Sequence, residues 1–295
     1  MKTILVLTDF SDKADHAAHY ALKLAQQTKA QLLLCNMFMV PYSEPMSTQV
    51  AWPMENFQTI EEDSKNELTQ LAGRLNGKLD SELDEGDFRP IIEQCSKSGA
   101  IAHIFAELAT NHQILMAVIS QHKSSASNFV FEDHARSIIE KANFPVFVVP
   151  DYEPFKDFKK IAFATDLSIS DIDVLHSLSG FAKLIDAEIL VTHVDDQNSD
   201  DQEAKQSVKH FFNMVSSEIK SKNIFYRTIK SKSITTGLDW LADNENIDLL
   251  VLVHRKRNFF QRLLEGSVTH RMANHLTKPM LVFPNSKVLE VLPEF

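Results

Sequence analysis

The chain contains one sequence unit twice, and this duplication constrains its fold more than any other feature. A gapless shift of 157 residues places TDFS (residues 8–11) on TDLS (residues 165–168). Near the end of each unit, FPVFVVP (residues 144–150) matches KPMLVFP (residues 278–284) at a shift of 134 residues. Because the two shifts differ by 23 residues, the first copy is 23 residues longer than the second between these anchors, and it carries an insertion.

Segments typical of strands and helices alternate within each copy. The segment TILVLT (residues 3–8) is continuously apolar, as in a strand covered on both faces. The next segment, residues 12–28, has alanine and leucine at helical spacing, and Ser11 is suited to cap its first turn. Later segments repeat this alternation, with a weaker strand expected near residues 88–94. Such alternation favours right-handed crossovers and a parallel sheet, so the sequence predicts an α/β protein.

The repeat also predicts the domain boundaries. We expect a first domain over residues 1–150, a linker over 151–157 that acts as a hinge, and a second domain over 158–295. The insertion in the first domain covers residues 40–57 and contains three prolines without any periodicity. It is either a surface loop that packs its own aromatic residues, or a lid or partner-docking arm.

Composition excludes several classes of protein. A net charge of −10 argues against nucleic-acid binding, which depends on lysine and arginine neutralising phosphates. No apolar run approaches the ~20 residues that cross a bilayer. The first ten residues also lack the pattern of a signal peptide, so we expect a cytoplasmic protein without a membrane partner.

The two cysteines indicate no special chemistry by their sequence context. Cys35 lies in an apolar run and is interpreted as a small buried hydrophobic residue. With only Cys95 as a second cysteine, neither a disulfide framework nor a thiolate metal site is predicted. His16 and His19 are spaced for one helix face but have no evident third ligand, so no metal is expected.

An aspartate follows the first strand of each copy, Asp9 in one and Asp166 in the other. Ligands of open parallel sheets bind beyond the carboxyl ends of the strands, where an acid can orient ribose hydroxyls or a base edge. The same acid can instead favour the helix dipole and accept backbone N–H groups. Residue type alone leaves both interpretations open.

The loop after the fourth strand differs between the copies. In the second copy, Gly266 and Ser267 begin a predicted helix, where backbone N–H groups can receive a phosphate. Around them lies the densest basic cluster of the chain: Arg255, Lys256, Arg257, Arg262 and Arg271. This cluster is either a solvated cationic loop or a site for a phosphate-bearing ligand. The first copy has Glu132 and Asp133 at the corresponding helix start, which would repel phosphate.

These residues resemble the universal stress protein family in its tandem two-domain form, over nearly the whole chain. The resemblance rests on the TD-x-S strand ends before an alanine-rich helix, the HV-type end of the second strand and the proline-led last strand. It implies two tandem Rossmann-like domains, each a doubly wound parallel sheet of strand order 3-2-1-4-5. It also implies that two such domains pair through their last strands, here as an intramolecular pseudo-dimer, and it leaves a homodimer of whole chains open.

ATP-binding members of that family carry Gly-x2-Gly-x9-Gly-Ser/Thr after the fourth strand. The resemblance maps this motif in the second copy onto Val253, Lys256, Gly266 and Ser267, which retain the last two positions. None of the four is retained in the first copy. The implied contacts to ATP or another adenine nucleotide therefore lie in the second copy only. They are Asp166, Val194, Gly266, Ser267 and Val268, with the charge of Lys256 in place of a glycine.

Two functions remain after these arguments. The first is a non-catalytic stress-response module that binds an adenine nucleotide weakly in its C-terminal domain. The alternative is a scaffold without nucleotide binding that acts through protein partners. An enzyme is not expected, because the chain lacks a Walker motif GxxxxGK[ST] and an evident pair of nucleophile and base at the strand ends.

Overall fold

The computed structural model describes residues 1–38, 57–121, 134–151, 154–195, 202–219, 223–255, 278–284 and 292–295. In the first half the elements are β1 (Lys2–Leu7), α1 (Asp12–Thr28), β2 (Gln31–Phe38), α2 (Phe57–Glu82), β3 (Ile92–Ser98), α3 (Ile101–Asn111), β4 (Gln113–Ser120), α4 (His134–Lys141) and β5 (Val146–Val149). In the second half they are β6 (Lys160–Thr165), α5 (Asp171–Leu184), β7 (Glu188–Asp195), α6 (Gln202–Glu218), β8 (Ile224–Lys230), α7 (Ile234–Asn244), β9 (Leu249–Val253) and β10 (Met280–Phe283).

All ten described strands form one sheet in the order β3-β2-β1-β4-β5-β10-β9-β6-β7-β8. Each half therefore has the strand order 3-2-1-4-5, with its own strands parallel. The halves meet where β5 pairs antiparallel with β10, Phe147 opposite Leu281. The α/β fold is confirmed, and the two copies pack together within one chain as expected. Pairing between separate chains stays a prediction.

Buried apolar strands and small helical residues explain the packing of each half. Ile4, Leu5 and Val6 of β1 are fully buried, as a strand covered on both faces requires. In α1 the fully buried residues include Ala17 and Ala21, whose small side chains let the helix lie close to the sheet. The predicted cap of α1 is confirmed by the hydrogen bond that the Ala14 N–H donates to Ser11 Oγ, 3.2 Å long. The weak third strand begins four residues later than predicted, at Ile92 instead of 88.

The described end of the linker packs against the first half, and its role as a hinge stays a prediction. Phe155 and Phe158 contact Tyr20 of α1, at ring-centroid distances of 4.8 and 6.4 Å. Phe158 is 1% exposed and also contacts Phe147 of β5. An ion pair of 2.6 Å between Lys13 and Asp151 adds a polar contact at its start. Phe155 of the linker and Phe158 at the start of the second half thus pack together against α1, and Phe158 also packs against β5.

The insertion predicted over residues 40–57 lies outside the described residues except at its end. Phe57 is the first residue of α2, and its ring lies 5.7 Å from that of Phe38 at the end of β2. Phe57 remains 44% exposed. Both interpretations of the insertion stay predictions.

Candidate functional site

The candidate site lies at the carboxyl ends of β6, β7 and β9. Because β6 pairs in parallel with both β7 and β9, the three strands end at the same edge of the sheet. Asp166 follows β6, Val194 is near the end of β7, and His254 and Arg255 follow β9. Ligands of doubly wound sheets bind at this edge, so the topology brings together the segments to which the sequence assigned a site.

Asp166 shapes the turn that follows β6. Its Oδ1 atom accepts a hydrogen bond from the Ser168 N–H, at 3.2 Å, which is the geometry of a side chain that supports its own turn. Between them, Leu167 has a left-handed φ of 67°. Its N–H donates to Thr165 Oγ1 at 2.9 Å, and this bond offsets part of the cost of that conformation.

The first half repeats this turn. Asp9 Oδ1 accepts from the Ser11 N–H at 3.1 Å, and the Phe10 N–H donates to Thr8 Oγ1 at 3.0 Å. Phe10 has a φ of 63°, close to the value at the equivalent residue of the second half. The aspartate therefore has a structural role that recurs in both copies. A ligand role for Asp166 is a separate matter and stays a prediction.

A second duplicated contact holds the adjacent strand ends together, and the residue-by-residue reasoning missed it. The His193 ring bonds through Nδ1 to the carbonyl oxygen of Thr165, 3.0 Å away, so Nδ1 carries the proton and donates. Asn36, which the 157-residue shift places on His193, donates through Nδ2 to the carbonyl of Thr8 at 2.8 Å. Reading the shift position by position would have identified this pair.

The cleft of the second half contains a charged cluster centred on Arg255. The Nη1 atom of Arg255 donates to Asp166 Oδ1, and Nη2 donates to Asp171 Oδ1. Nη2 also donates to Ser170 Oγ at 2.8 Å. The guanidinium therefore joins the loop after β9 to the turn after β6 and to the first residue of α5. Such bonds between ionised groups are stronger than neutral ones.

Burial distinguishes the two carboxylates that Arg255 contacts. The side chain of Asp171 is 1% exposed and that of Asp166 is 58% exposed. Burial raises the pKa of Asp171, although the hydrogen bonds from Thr165 and Arg255 act in the opposite direction. The Thr165 hydroxyl donates to Asp171 Oδ2 at 2.6 Å. Arg255 is thus the cation that allows an acid to be buried beside the cleft.

Among the described residues of the first half, the positions equivalent to Arg255 and Asp171 carry no charge. The 157-residue shift places Ala14 at the position of Asp171, and the 134-residue shift places Gln121 at the position of Arg255. Ala14 is 1% exposed, so an apolar methyl group occupies the place of the buried carboxylate. The copies therefore share the turn but differ in charge at these two positions.

Val194 packs into the protein core on one side of the candidate site. It is 8% exposed, and its methyl groups face Gly237 in α7. A β-carbon at Gly237 would lie 2.5 Å from Val194 Cγ1, so the glycine permits a close approach of α7 to β7. The contact of Val194 with a nucleotide stays an implication of the resemblance.

The other four residues predicted for the site, Lys256, Gly266, Ser267 and Val268, lie outside the described residues. Their roles stay predictions, as does the proximity of Asp166 to Gly266 and Ser267. Within the described ranges, no group of three or more His, Cys, Asp or Glu side chains could hold a metal ion.

The fold and the duplicated strand ends define a tandem pair of Rossmann-like domains with a candidate ligand edge in each. The model of the universal stress protein family matches the chain twice, over residues 1–150 and 157–284. The chain therefore belongs to the universal stress protein family, in a tandem two-domain form. Among curated proteins, none matches it significantly.

Solved structures agree with this assignment at the level of the fold. A universal stress protein from Archaeoglobus fulgidus DSM 4304 is 12% identical, with a TM-score of 0.67 over 96% of this chain and 98% of that one. A putative universal stress protein from Pseudomonas aeruginosa UCBPP-PA14 is 16% identical, with a TM-score of 0.53 over 99% and 96%. A universal stress protein solved in complex with cAMP is 17% identical and covers 43% of this chain, at a TM-score of 0.33. In the described part of this chain, the helices are too short or too polar to cross a membrane.

Proposed function

We propose that this protein is a cytoplasmic stress-response module without catalytic turnover, and that its C-terminal half binds ATP or another adenine nucleotide weakly. The contact between Arg255 and Asp166 is the observation that carries the proposal. It brings the start of the basic loop to the carboxylate that the resemblance assigns to the nucleotide. The basic cluster is a suitable partner for phosphates, since cations there would reduce their mutual repulsion.

The charges of the described cluster favour weak binding. Two carboxylates, Asp166 and Asp171, contact one guanidinium, Arg255, so the described cluster carries a net negative charge. A phosphate must therefore rely on the cations that follow in the sequence, from Lys256 onward. Weak binding is also consistent with the two lost glycines, since a β-carbon limits how closely a phosphate approaches the backbone.

The same cluster supports the alternative, a scaffold that binds protein partners and no nucleotide. The Arg255 guanidinium donates to Asp166, Ser170 and Asp171. In the scaffold, this internal ion pair has a structural role and holds the loop after β9 against the turn after β6. The two functions therefore differ in whether a nucleotide stabilises the folded chain.

Melting the full-length protein with and without ATP separates these functions. At five times the dissociation constant, a ligand that binds only the native state stabilises it by about 1 kcal/mol. For a domain of this size the midpoint should then rise by about 2–4 °C. Gly266→Glu, which copies Glu132 of the first half, should abolish the rise. Phosphate release that scales with protein concentration and is lost in Asp166→Asn would contradict the absence of turnover.

The duplication supplies a matched pair of variants for this test. Asp166→Asn and Asp9→Asn each remove the charge from the same type of turn but keep an oxygen that can accept its N–H, so both should change the melting temperature little in the absence of ligand. Only Asp166→Asn should remove the ATP-dependent rise. An equal effect of both variants on that rise would contradict the assignment of the nucleotide to the C-terminal half. No rise at millimolar ATP in the unaltered protein would favour the scaffold.

A further inference from the structure

The two cysteines of the chain, 60 positions apart in the sequence, lie side by side in the first half. Cys35 in β2 and Cys95 in β3 are register partners of adjacent parallel strands. Side chains at paired positions of parallel strands project from the same face of the sheet. Both cysteines pack in the core on the face that α3 and α4 cover. We propose that Cys35 and Cys95 form a reversible intrachain disulfide, with Cys95 as the thiol that reacts first with a peroxide.

The backbone geometry suits such a bond. Neighbouring strands lie about 4.8 Å apart, and disulfides join α-carbons about 4.4–6.8 Å apart. The register is also fixed beside the pair, because Ser64 of α2 bonds to both following residues. It donates to Asn36 Oδ1 at 3.0 Å and lies 2.7 Å from Ser96 Oγ. Closing the bond therefore requires side-chain rotation and little movement of the strands.

The two thiols have different environments, which assigns their roles. Cys35 is fully buried, whereas Cys95 is half-buried and lies on β3, an edge strand of the sheet. The neighbouring Cys35 thiol lowers the pKa of Cys95, and the ammonium of Lys97 acts in the same direction. The Cys95 thiol and burial together raise the pKa of Cys35. A partly exposed thiol of lowered pKa beside a buried partner suits a redox-sensing pair.

The chemistry balances with hydrogen peroxide as the oxidant. The Cys95 thiolate attacks one peroxide oxygen, the O–O bond breaks, and the departing hydroxide takes up a proton to leave as water. The Cys35 sulfur then attacks the resulting sulfenic acid, so an S–S bond forms and the S–O bond breaks. The second hydroxide leaves as water with the Cys35 proton. Two thiols and one peroxide thus give one disulfide and two waters, and two equivalents of an external thiol reverse the change.

The test uses the full-length protein, reduced, freed of reductant and exposed to a small excess of hydrogen peroxide. After denaturation in N-ethylmaleimide, the intact mass should be lower by about 2 Da with no maleimide added. Peptide mapping should find a linked pair of peptides that contain Cys35 and Cys95, and dithiothreitol should restore both thiols. Two maleimide adducts, sulfinic or sulfonic acid at Cys95 without a link, or links between chains would each overturn the proposal.

Single variants test the order of attack. Cys35→Ser should accumulate a sulfenic acid at Cys95 that dimedone traps, whereas Cys95→Ser should leave Cys35 unmodified in the folded protein. The reverse pattern would overturn the assignment of Cys95 as the first thiol. Both changes are close in size to cysteine, and the melting temperature reports whether each variant folds.

Replacing Lys97 tests its electrostatic effect on Cys95, because a purely structural role would not change the rate of oxidation. Lys97→Gln should slow oxidation at pH 7 by at least about twofold, because loss of the Lys97 ammonium leaves less thiolate at Cys95. The disulfide product should be unchanged. Lys65→Gln is the matched control, since Lys65 also pairs with a glutamate, Glu61, but lies in α2, which covers the opposite face of the sheet. Equal rates in the two variants would contradict the proposed role of Lys97.

Discussion

Replacing Arg255 by glutamine is expected to lower the free energy of unfolding by about 3 kcal/mol at pH 7, because it leaves the buried Asp171 without its cation. Asp171 cannot be hydrated at 1% exposure, so the loss is that of an uncompensated buried charge. The exposed partner, Asp166, should contribute little to the change. Urea unfolding followed by circular dichroism measures the effect.

The pH dependence of this variant provides a second expectation. Burial already raises the pKa of Asp171 in the folded protein, and removing Arg255 removes one of the opposing contributions. A raised carboxyl pKa means that the folded state binds the proton more readily than the unfolded state. The associated stability is present below the unfolded value, near pH 4, and is lost as the pH rises through the folded value. The deficit of Arg255→Gln should therefore shrink between pH 7 and about pH 4.

The first half of the chain supplies the compensating change. Gln121 and Ala14 occupy the positions of Arg255 and Asp171. The double variant Arg255→Gln with Asp171→Ala therefore gives the second half the uncharged pair of the first half. This double variant should recover about 2 kcal/mol relative to Arg255→Gln alone, since no buried charge remains. Arg74→Gln, which breaks an exposed pair with Asp15, should cost less than about 1 kcal/mol. A loss in Arg255→Gln as small as that of this control would contradict the role given to Arg255.

The fold was predictable because its signals are local and repeated. Apolar runs such as TILVLT identify buried strands, and the helical spacing of alanine fixed the limits of α1 at residues 12 and 28. The duplication then doubled every signal. It also places Asn36 on His193, and both side chains bond to the carbonyl oxygen of a threonine. Helix and strand propensities do not predict such contacts.

The contacts that carry the site chemistry were not predictable from the same patterns. The sequence groups Arg255 with a basic loop, but its buried partner, Asp171, lies 84 positions away and is found only when β6 and β9 pair. Cys35 and Cys95 meet only through the register of β2 and β3, and the weak apolar pattern of β3 predicts a start that is too early. In both cases the partners depend on sheet register, which a single sequence specifies poorly.

Gly237→Ala is the second variant expected to have a large effect, and its direction opposes helix propensity. Alanine favours a helix by about 1 kcal/mol over glycine. At Gly237, however, the added β-carbon would lie 2.5 Å from Val194 Cγ1 and 3.2 Å from Ser231 Cβ, closer than packed atoms allow. Overpacking of this kind costs about 1–3 kcal/mol. We therefore expect a net loss of unfolding free energy, measured by urea unfolding.

The glycines of α2 provide the matched control for Gly237→Ala. A β-carbon at Gly77 would have no atom within 4 Å, so Gly77→Ala should stabilise the protein by about 0.5–1 kcal/mol. Truncation of the facing side chain tests the cause directly. Val194→Ala in the Gly237→Ala background should cost at least about 1 kcal/mol less than in the unaltered protein, because the new methyl group fills the space of the lost ones. Strictly additive losses would show that α7 does not pack against Val194. They would contradict the explanation that Gly237 is required by its close contact with this side chain.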